Sequence, residues 1–250
     1  MPVFSSDGVD IAYLDEGAGD PVLLIHGFAS TKEINWVNTG WVKLLTQAGR
    51  RVIAFDHRGH GASTKLYDPH LYSCECMADD AARLMDHVGV PQADVIGYSM
   101  GARVGVHLAL FYPERVRSLV MGGLGIHLVN GAGLPQSIAE ALEAPSLADV
   151  SDPMGRMFRT FADANKADLK ALAACIRGSR QVLSDTQVRR IFQPVLVAVG
   201  TRDAVAGDAQ ALARLLPDGE ALDIPGRDHN PAVGDKVFKQ GVLDFFARRP

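Results

Sequence analysis

The 250-residue chain has few cysteines and no basic N-terminal segment. Its three cysteines are Cys74, Cys76 and Cys175, an odd number of which two are separated by a single residue. The three cannot all pair within one chain, so the sequence predicts free thiols in a reducing, cytoplasmic compartment. No Lys or Arg precedes Lys32, and the start of the chain therefore does not resemble a secretion signal.

The chain also lacks an excess of positive charge and any long apolar run. Its net charge is -4 at pH 7, and both signs are mixed along the sequence. A nucleic-acid-binding surface normally shows a basic excess or a basic stripe, so we expect no nucleic-acid partner. The longest apolar runs, such as PVLLI and PVLVAVG, are too short to span a bilayer, and we expect no membrane partner.

Short aliphatic runs recur along the chain and indicate buried strands. They lack polar alternation, which is typical of strands buried on both faces of a parallel sheet, and they occupy residues 21–27, 50–56, 93–99, 116–123 and 193–200. Segments with apolar residues at helical spacing separate them, at 36–47, 72–87 and 100–111. The alternation predicts a single α/β domain over residues 1–250, with a mostly parallel central sheet and helices on both faces.

Residues 124–190 interrupt this alternation. The interval contains no aliphatic strand run but several short helical stretches, and it is too long for a simple loop. We interpret it as a helical lid over the strand ends. Some of its apolar side chains are expected to line a substrate pocket, although packing within the lid accounts for them equally well. These side chains are Leu124, Ile126, Met154, Met157, Phe158 and Phe161.

Ser99 lies in the sequence GYSMG, directly after a predicted strand and before a predicted helix. The pattern G-x-S-x-G in that context is typical of a serine nucleophile on a strained turn, for which Gly97 and Gly101 leave room. The N–H of Met100, at the start of the next helix, would stabilise an oxyanion. A serine that merely caps the helix is the structural alternative.

A serine hydroxyl hardly ionises at neutral pH, so it needs a base and an acid that orients the base. Asp203 follows the strand at 193–200, at the sheet edge where active sites of parallel sheets gather. His229 follows the next strand and is the only histidine C-terminal to Asp203. Asp203 is the leading candidate for the acid, and Asp208 and Asp228 remain weaker ones. The structural alternative for His229 is an exposed loop histidine, and the alternative for Asp203 is a turn or cap residue.

Five segments together resemble the α/β-hydrolase superfamily, of the esterase, lactonase and perhydrolase type with a small lid. They stand in the order typical of the family and span nearly the whole chain: LLIHGF at 23–28, AFDHRGHGAS at 54–63, GYSMGA at 97–102, GTRD at 200–203 and GRDHN at 226–230. The resemblance implies the fold described above and a catalytic triad of Ser99, Asp203 and His229. A triad of this kind requires neither a metal nor an organic cofactor, so the resemblance implies none.

The resemblance also implies roles for the loops beside the nucleophile. The backbone N–H of Phe28 would be the second oxyanion donor beside Met100, His26 would brace its loop, and Asp56 and Arg58 would tie loops together. One departure loosens the assignment of the acid, because GTRDAVAG lacks the proline that usually follows it.

His57 and His60 have a spacing that suits metal ligands, but no carboxylate or cysteine completes a ligand set, so we expect no metal site. The sequence instead predicts a serine hydrolase that cleaves carboxylic esters of small to medium acyl groups through an acyl-enzyme. A carbon–carbon bond hydrolase and a cofactor-free perhydrolase use the same triad and remain alternatives. An alternative from another functional class is a non-catalytic binding protein on a hydrolase scaffold. The presence of all three triad residues argues against it.

Overall fold

A central sheet of eight strands organises the computed structural model, which describes residues 1–131 and 135–248. The strands are Val3–Ser6 (β1), Val9–Glu16 (β2), Asp20–Ile25 (β3), Arg50–Phe55 (β4), Ala93–Tyr98 (β5), Val116–Gly122 (β6), Val195–Gly200 (β7) and Gly219–Ile224 (β8). Their order in the sheet is β1-β2-β4-β3-β5-β6-β7-β8. The strand β2 pairs antiparallel with β1 and β4, and all other pairs are parallel. The predicted mostly parallel sheet is therefore confirmed.

Helices pack on both faces of this sheet, as predicted. The α-helices of the described residues are Trp41–Gln47 (α1), Cys74–His87 (α2), Met100–Phe111 (α3), His127–Asn130 (α4), Ser137–Glu143 (α5), Pro153–Ala164 (α6), Leu169–Gly178 (α7), Asp185–Val188 (α8), Ala209–Ala213 (α9), His229–Ala232 (α10) and Lys236–Ala247 (α11). Within the described ranges, no helix is both long enough and apolar enough to cross a lipid bilayer.

The two faces of the sheet carry separate hydrophobic cores, because alternate side chains of each strand point to opposite sides. Leu23 and Ile25 of β3 join the core that includes side chains of α2, α3 and α9. Val22 and Leu24 join the core that includes side chains of α1 and α11. All four side chains are fully buried, which stabilises the fold by about 1.5–3 kcal/mol for each.

The predicted helix over 36–47 is wrong at its N-terminal end. The chain first makes a π-helical turn at Glu33–Val37, and α1 begins only at Trp41. Gly40 separates the two at a φ of 81°, in the left-handed region that glycine adopts without strain. The break lets Asn35 and Trp36 turn into the protein, where both are buried.

The chain between β6 and β7 contains the predicted helical segment 124–190. Its described residues form α4 to α8 and a short 3-10 turn at Leu147–Asp149, with α5 packed against α6 and α7. Residues 132–134 of this segment, and residues 249 and 250 of the predicted domain, lie outside the described residues.

A buried histidine, His26, fixes the end of β3. The N–H of His57 donates to Nε2 of His26 at 3.0 Å, so the proton of His26 lies on Nδ1. That Nδ1 lies 2.7 Å from the carbonyl oxygen of Gly27 and donates to it. The neutral ring thus joins the loop after β3 to the loop after β4, and its observed contacts are those of a bracing residue.

A second buried histidine, His60, holds the next part of the same loop. Its Nε2 accepts from the N–H of Ala29 at 3.2 Å, and its Nδ1 lies 3.0 Å from the carbonyl oxygen of Arg58. Burial lowers the pKa of His26 and of His57, and it lowers the pKa of His60 to about 3. In the described part of the chain, no three His, Cys, Asp or Glu side chains are arranged to hold a metal ion.

A buried ion pair also joins the loop after β3 to the loop after β4. The Nζ of Lys32 lies 2.8 Å from Oδ2 of Asp56, and the N–H of Lys32 donates to Oδ1 at 2.9 Å. Both side chains are 1% exposed. Gly61 passes so close that a Cβ there would lie 2.2 Å from Oδ2 of Asp56. Since a buried charge is costly without a partner, removing either member of the pair would disrupt both loops.

We predict that acid destabilises the protein through the buried histidines. Because the pKa of His60 is lower in the folded than in the unfolded chain, protons bind the unfolded chain preferentially between about pH 6.5 and pH 3. The free energy of unfolding should therefore fall with decreasing pH in this window, by up to about 1.4 kcal/mol per pH unit for each such histidine. In His60→Gln, which keeps an acceptor but does not titrate, urea unfolding between pH 7 and pH 4.5 should show a shallower pH dependence.

The matched control is His70→Gln, which removes an exposed histidine outside the cluster. An identical pH dependence in His60→Gln and in the wild-type protein would contradict the prediction.

Candidate active site

Ser99 occupies the sharp turn between β5 and α3. Its φ of 56° and ψ of -114° are unusual for a residue other than glycine, and they mark local strain of the kind that functional sites retain. A Cβ on Gly97 would lie 2.3 Å from the carbonyl oxygen of Gly101, and one on Gly101 would lie 2.0 Å from that of Ile25. The flanking glycines are therefore required for the turn. The N–H of Ser99 donates to the carbonyl oxygen of Gly122 at 2.7 Å and fixes the turn to β6.

The structure brings Ser99, His229 and Asp203 together at the carboxyl edge of the sheet. The Nε2 of His229 lies 2.9 Å from Oγ of Ser99, and its Nδ1 lies 2.7 Å from Oδ2 of Asp203. The other carboxylate oxygen of Asp203 accepts from the N–H groups of Val205 and Ala206 at 2.9 and 3.0 Å. All three side chains are buried, so the carboxylate is held rigidly against the imidazole.

The two weaker acid candidates lie elsewhere. Asp208 caps the N-terminus of α9, where its Oδ1 accepts from the N–H of Ala211 at 3.0 Å. Asp228 caps α10, and its Oδ1 accepts from the backbone N–H of His229 at 2.7 Å. Among the three aspartates, Asp203 is the one that contacts the imidazole.

Tyr98, which no sequence motif marks as a site residue, supports His229 through its hydroxyl and its ring. Its hydroxyl donates to the carbonyl oxygen of His229 at 2.5 Å, and the two rings are 5.6 Å apart. Burial raises the pKa of Tyr98 well above its usual value, so the hydroxyl keeps its proton and remains a donor. A Cβ on Gly122 or Gly123 would lie 2.7 or 2.8 Å from the tyrosine ring. The glycine pair at the end of β6, Gly122 and Gly123, is the sequence signal for this bulky neighbour.

The loop after β3 makes a tight turn beside Ser99. The N–H of Ser30 donates to the carbonyl oxygen of Gly27 at 3.3 Å, and Ala29 takes a φ of 58°. A Cβ on Gly27 would lie 3.3 Å from the Cβ of Ser99, so the turn passes directly over the serine. The N–H of Gly27 donates to Oδ1 of Asn35 at 2.8 Å, which anchors the turn to the π-helical segment.

The two predicted oxyanion donors flank Ser99. Within the described residues, the backbone N–H groups of Phe28 and Met100 donate to no other group of the chain. Both side chains contact the helical segment between β6 and β7. The ring of Phe28 meets that of Phe158 edge to face at 5.7 Å, and Sδ of Met100 lies 3.7 Å from Sγ of Cys175. The oxyanion role of the two amides stays a prediction.

A cavity of about 220 Å³ opens onto the serine and the histidine. Among the described residues that line it, none is Asp, Glu, Lys or Arg. They are Gly27, Phe28, Ser30, Ile34, Asn35, Thr39, Tyr98, Ser99, Phe158, Phe161, His229, Asn230 and Val233. The volume lies below the range of roughly 300–1,000 Å³ that is usual for pockets of drug-sized ligands, which favours a small ligand.

Of the six side chains predicted to line a pocket, Phe158 and Phe161 line this cavity, and Leu124, Ile126, Met154 and Met157 do not. Leu124 is buried in the hydrophobic core, and Met154 and Met157 pack against that core. Ile126 directly precedes α4 and is half-buried. Positions 154, 158 and 161 share one face of α6 at i, i+4 and i+7, so position along the helix, not the face, separates Met154 from the two phenylalanines that line the cavity.

Comparison with known proteins places these features in a family. The chain is 28% identical to the non-heme chloroperoxidase of Kitasatospora aureofaciens over 98% of this chain and 99% of that protein. It is 35% identical to the 2-hydroxymuconate semialdehyde hydrolase of Pseudomonas sp. strain CF600, over 59% of this chain and 50% of that protein. A crystal structure of a hydrolase from Pseudomonas aeruginosa is similar with a TM-score of 0.81 at 26% identity, over 98% of this chain and 97% of that chain. Residues 20–145, just over half of the sequence, match the model of the alpha/beta hydrolase fold family, and the chain belongs to that family.

Proposed function

We propose that the protein is a serine hydrolase that cleaves uncharged carboxylic esters of small to medium acyl groups. The observation that carries the proposal is the continuous contact from Asp203 through His229 to Ser99, at 2.7 and 2.9 Å. Nucleophile, base and orienting acid within hydrogen-bond reach of one another are what serine acyl transfer needs. A cavity that opens onto the serine gives the ester a place to bind.

The mechanism follows from the hydrogen-bond pattern. Asp203 accepts from Nδ1 of His229, which leaves Nε2 free to remove the proton of the Ser99 hydroxyl. The serine oxygen attacks the ester carbonyl, and the amides of Phe28 and Met100 stabilise the tetrahedral oxyanion. His229 then gives its proton to the departing alcohol, and in the second half-reaction it activates a water that hydrolyses the acyl-enzyme.

The absence of charge in the described cavity lining favours an uncharged substrate over an anionic one. The arginines of α6 and α7 bind other groups of the helical segment. Arg156 donates to the carbonyl oxygen of Leu147, Arg159 to that of Ala141, and Arg177 pairs with Glu143. A carbon–carbon bond hydrolase must recognise a charged dienoate, so it is the weaker candidate despite the similarity to a 2-hydroxymuconate semialdehyde hydrolase.

The helical segment between β6 and β7 would act as the lid of this site. Phe158 and Phe161 extend from α6 into the cavity lining, and together with Phe28, Ile34 and Val233 they give it an apolar side that suits an acyl chain. The same acyl-enzyme would support perhydrolysis as a side reaction, in which hydrogen peroxide replaces water, and the similarity to a chloroperoxidase agrees with this alternative.

We predict that Ser99→Ala and His229→Ala each lower kcat/KM for 4-nitrophenyl butanoate by a factor on the order of 10⁴ or more. The double variant should be scarcely worse than either single variant, because the two residues act as one unit. Steady-state kinetics on purified variants, with circular dichroism to establish folding, provides the measurement. Losses that multiply in the double variant would show that the two side chains do not act together.

A fluorophosphonate probe should label folded wild-type protein at Ser99 and should not label Ser99→Ala. Covalent labelling by phosphonate requires an activated serine, whereas a binding protein on the same scaffold needs none. Mass spectrometry of the intact protein measures the adduct. Failure of the folded wild-type protein to react would favour the binding protein over the enzyme.

We predict that Tyr98→Phe lowers kcat by about three- to tenfold while KM changes little. The change removes the hydrogen bond to the carbonyl oxygen of His229 and keeps the ring that fills the space beside Gly122 and Gly123. Loss of one buried hydrogen bond costs about 1 kcal/mol, and the expected effect on kcat is of that size. An unchanged kcat in a variant of lower thermal stability would show that Tyr98 supports the fold alone.

A further inference from the structure

A second, smaller cavity of about 70 Å³ adjoins the catalytic cavity, and Ser30 lines both. One wall is the turn at 29–31 beside the nucleophile, and another is the turn at 59–61. The opposite wall is the turn at 165–168 that connects α6 to α7. The small cavity therefore lies between the predicted oxyanion loop and the helical segment.

Most polar groups around the small cavity already have partners. The Nζ of Lys65 donates to the carbonyl oxygens of His60, Gly61 and Ser63 at 3.2, 2.6 and 2.7 Å. The two carboxylate oxygens of Asp168 accept from the N–H of Ala171 and from the hydroxyl of Tyr67. These two charged groups are therefore used by the protein itself, and the third charged residue of the lining, Lys166, is exposed to solvent.

Two buried side-chain groups in the wall have no such partner. Oγ of Ser30 and Nδ2 of Asn165 are buried, and neither forms a hydrogen bond with the described residues. Ser30 is 4% exposed. A buried polar atom without a hydrogen bond is unfavourable, and native proteins pair nearly all such atoms. Both groups can donate, so what binds between them would carry an acceptor oxygen.

We propose that the small cavity is a subsite for an uncharged oxygen function, a keto or hydroxyl group, on the acyl chain of the substrate. The inference rests on the proposed ester hydrolase function and names the substrate class more narrowly. A volume of about 70 Å³ holds roughly two groups of the size of water, which occupies about 30 Å³ in the liquid. Ser30 lines both cavities, so the subsite lies directly beside the catalytic cavity, and an acyl chain bound at Ser99 would enter it at this residue.

The experiment compares 4-nitrophenyl hexanoate with its 4-oxo and 5-oxo derivatives, each corrected for its spontaneous hydrolysis. The wild-type enzyme should show a kcat/KM for at least one oxo ester about tenfold above that for the plain hexanoate. In Ser30→Ala and in Asn165→Ala this ratio should fall about tenfold, because each variant removes a donor without adding bulk. Ser151→Ala, at an exposed serine that lines neither cavity, is the matched control and should keep the wild-type ratio.

The possible results separate this inference from the function on which it rests. No hydrolysis of any ester by the wild-type protein would overturn the proposed function. Hydrolysis with the same ratio in all variants would overturn the subsite alone and would mean that water fills the small cavity. A preference for the 4-nitrophenyl monoester of glutaric acid over both oxo esters would overturn the uncharged character of the subsite. Asn165→Ala keeps the inference testable if Ser30→Ala does not fold.

Discussion

The close approach of α3 to the end of β3 is the contact on which the rest of the site depends. At Gly101 the helix comes so near that a Cβ would lie 2.0 Å from the carbonyl oxygen of Ile25 and 2.6 Å from that of His26. This approach places the turn with Ser99 directly beside the turn that begins at Gly27. Ser99 and the predicted oxyanion donors thus belong to two neighbouring strand ends whose distance is set by backbone contact, without adjustable side chains between them.

A backbone approach of this kind needs rigid support, and buried polar groups provide it. His26 and His60 each bind backbone groups on both ring sides, and the pair of Lys32 and Asp56 joins the same loops. Inside the protein each such contact is strong because few competing waters are near, and each would be costly if left incomplete. The loops around Ser99 therefore derive their geometry from neutral imidazoles and buried ion pairs, Lys32 with Asp56 and Arg58 with Asp80, rather than from apolar packing alone.

The sequence predicts the sheet and its helices well because aliphatic runs and helical spacing are local signals, and the family model supports that fold. It also identifies Ser99, His229 and Asp203 as candidates, since their positions at strand ends follow from the strand order, and the structure brings the three together. The break at Gly40 was missed because a π-helical turn has an apolar pattern similar to that of an α-helix.

Which apolar side chains of the helical segment reach the cavity was not predictable, since this depends on where α6 lies over the sheet. Phe158 belongs to the core and also lines the cavity, whereas Met154, one turn earlier on the same helix face, packs against the core alone. The hydrogen bond of Tyr98 to His229, and the lack of a hydrogen-bond partner for Oγ of Ser30 among the described residues, likewise depend on residues distant in the chain. The sequence pattern therefore identifies candidate residues, whereas the tertiary structure determines which of them contact one another.

The contacts of Phe28 with Phe158 and of Met100 with Cys175 join both predicted oxyanion residues to the helices that cover the cavity. Substitutions that reshape those helices to accept another substrate would therefore also shift Phe28 and Met100. In evolution or engineering, substrate choice and turnover would then change as one trait, so a broadened substrate range should come with compensating changes at positions 28 and 100.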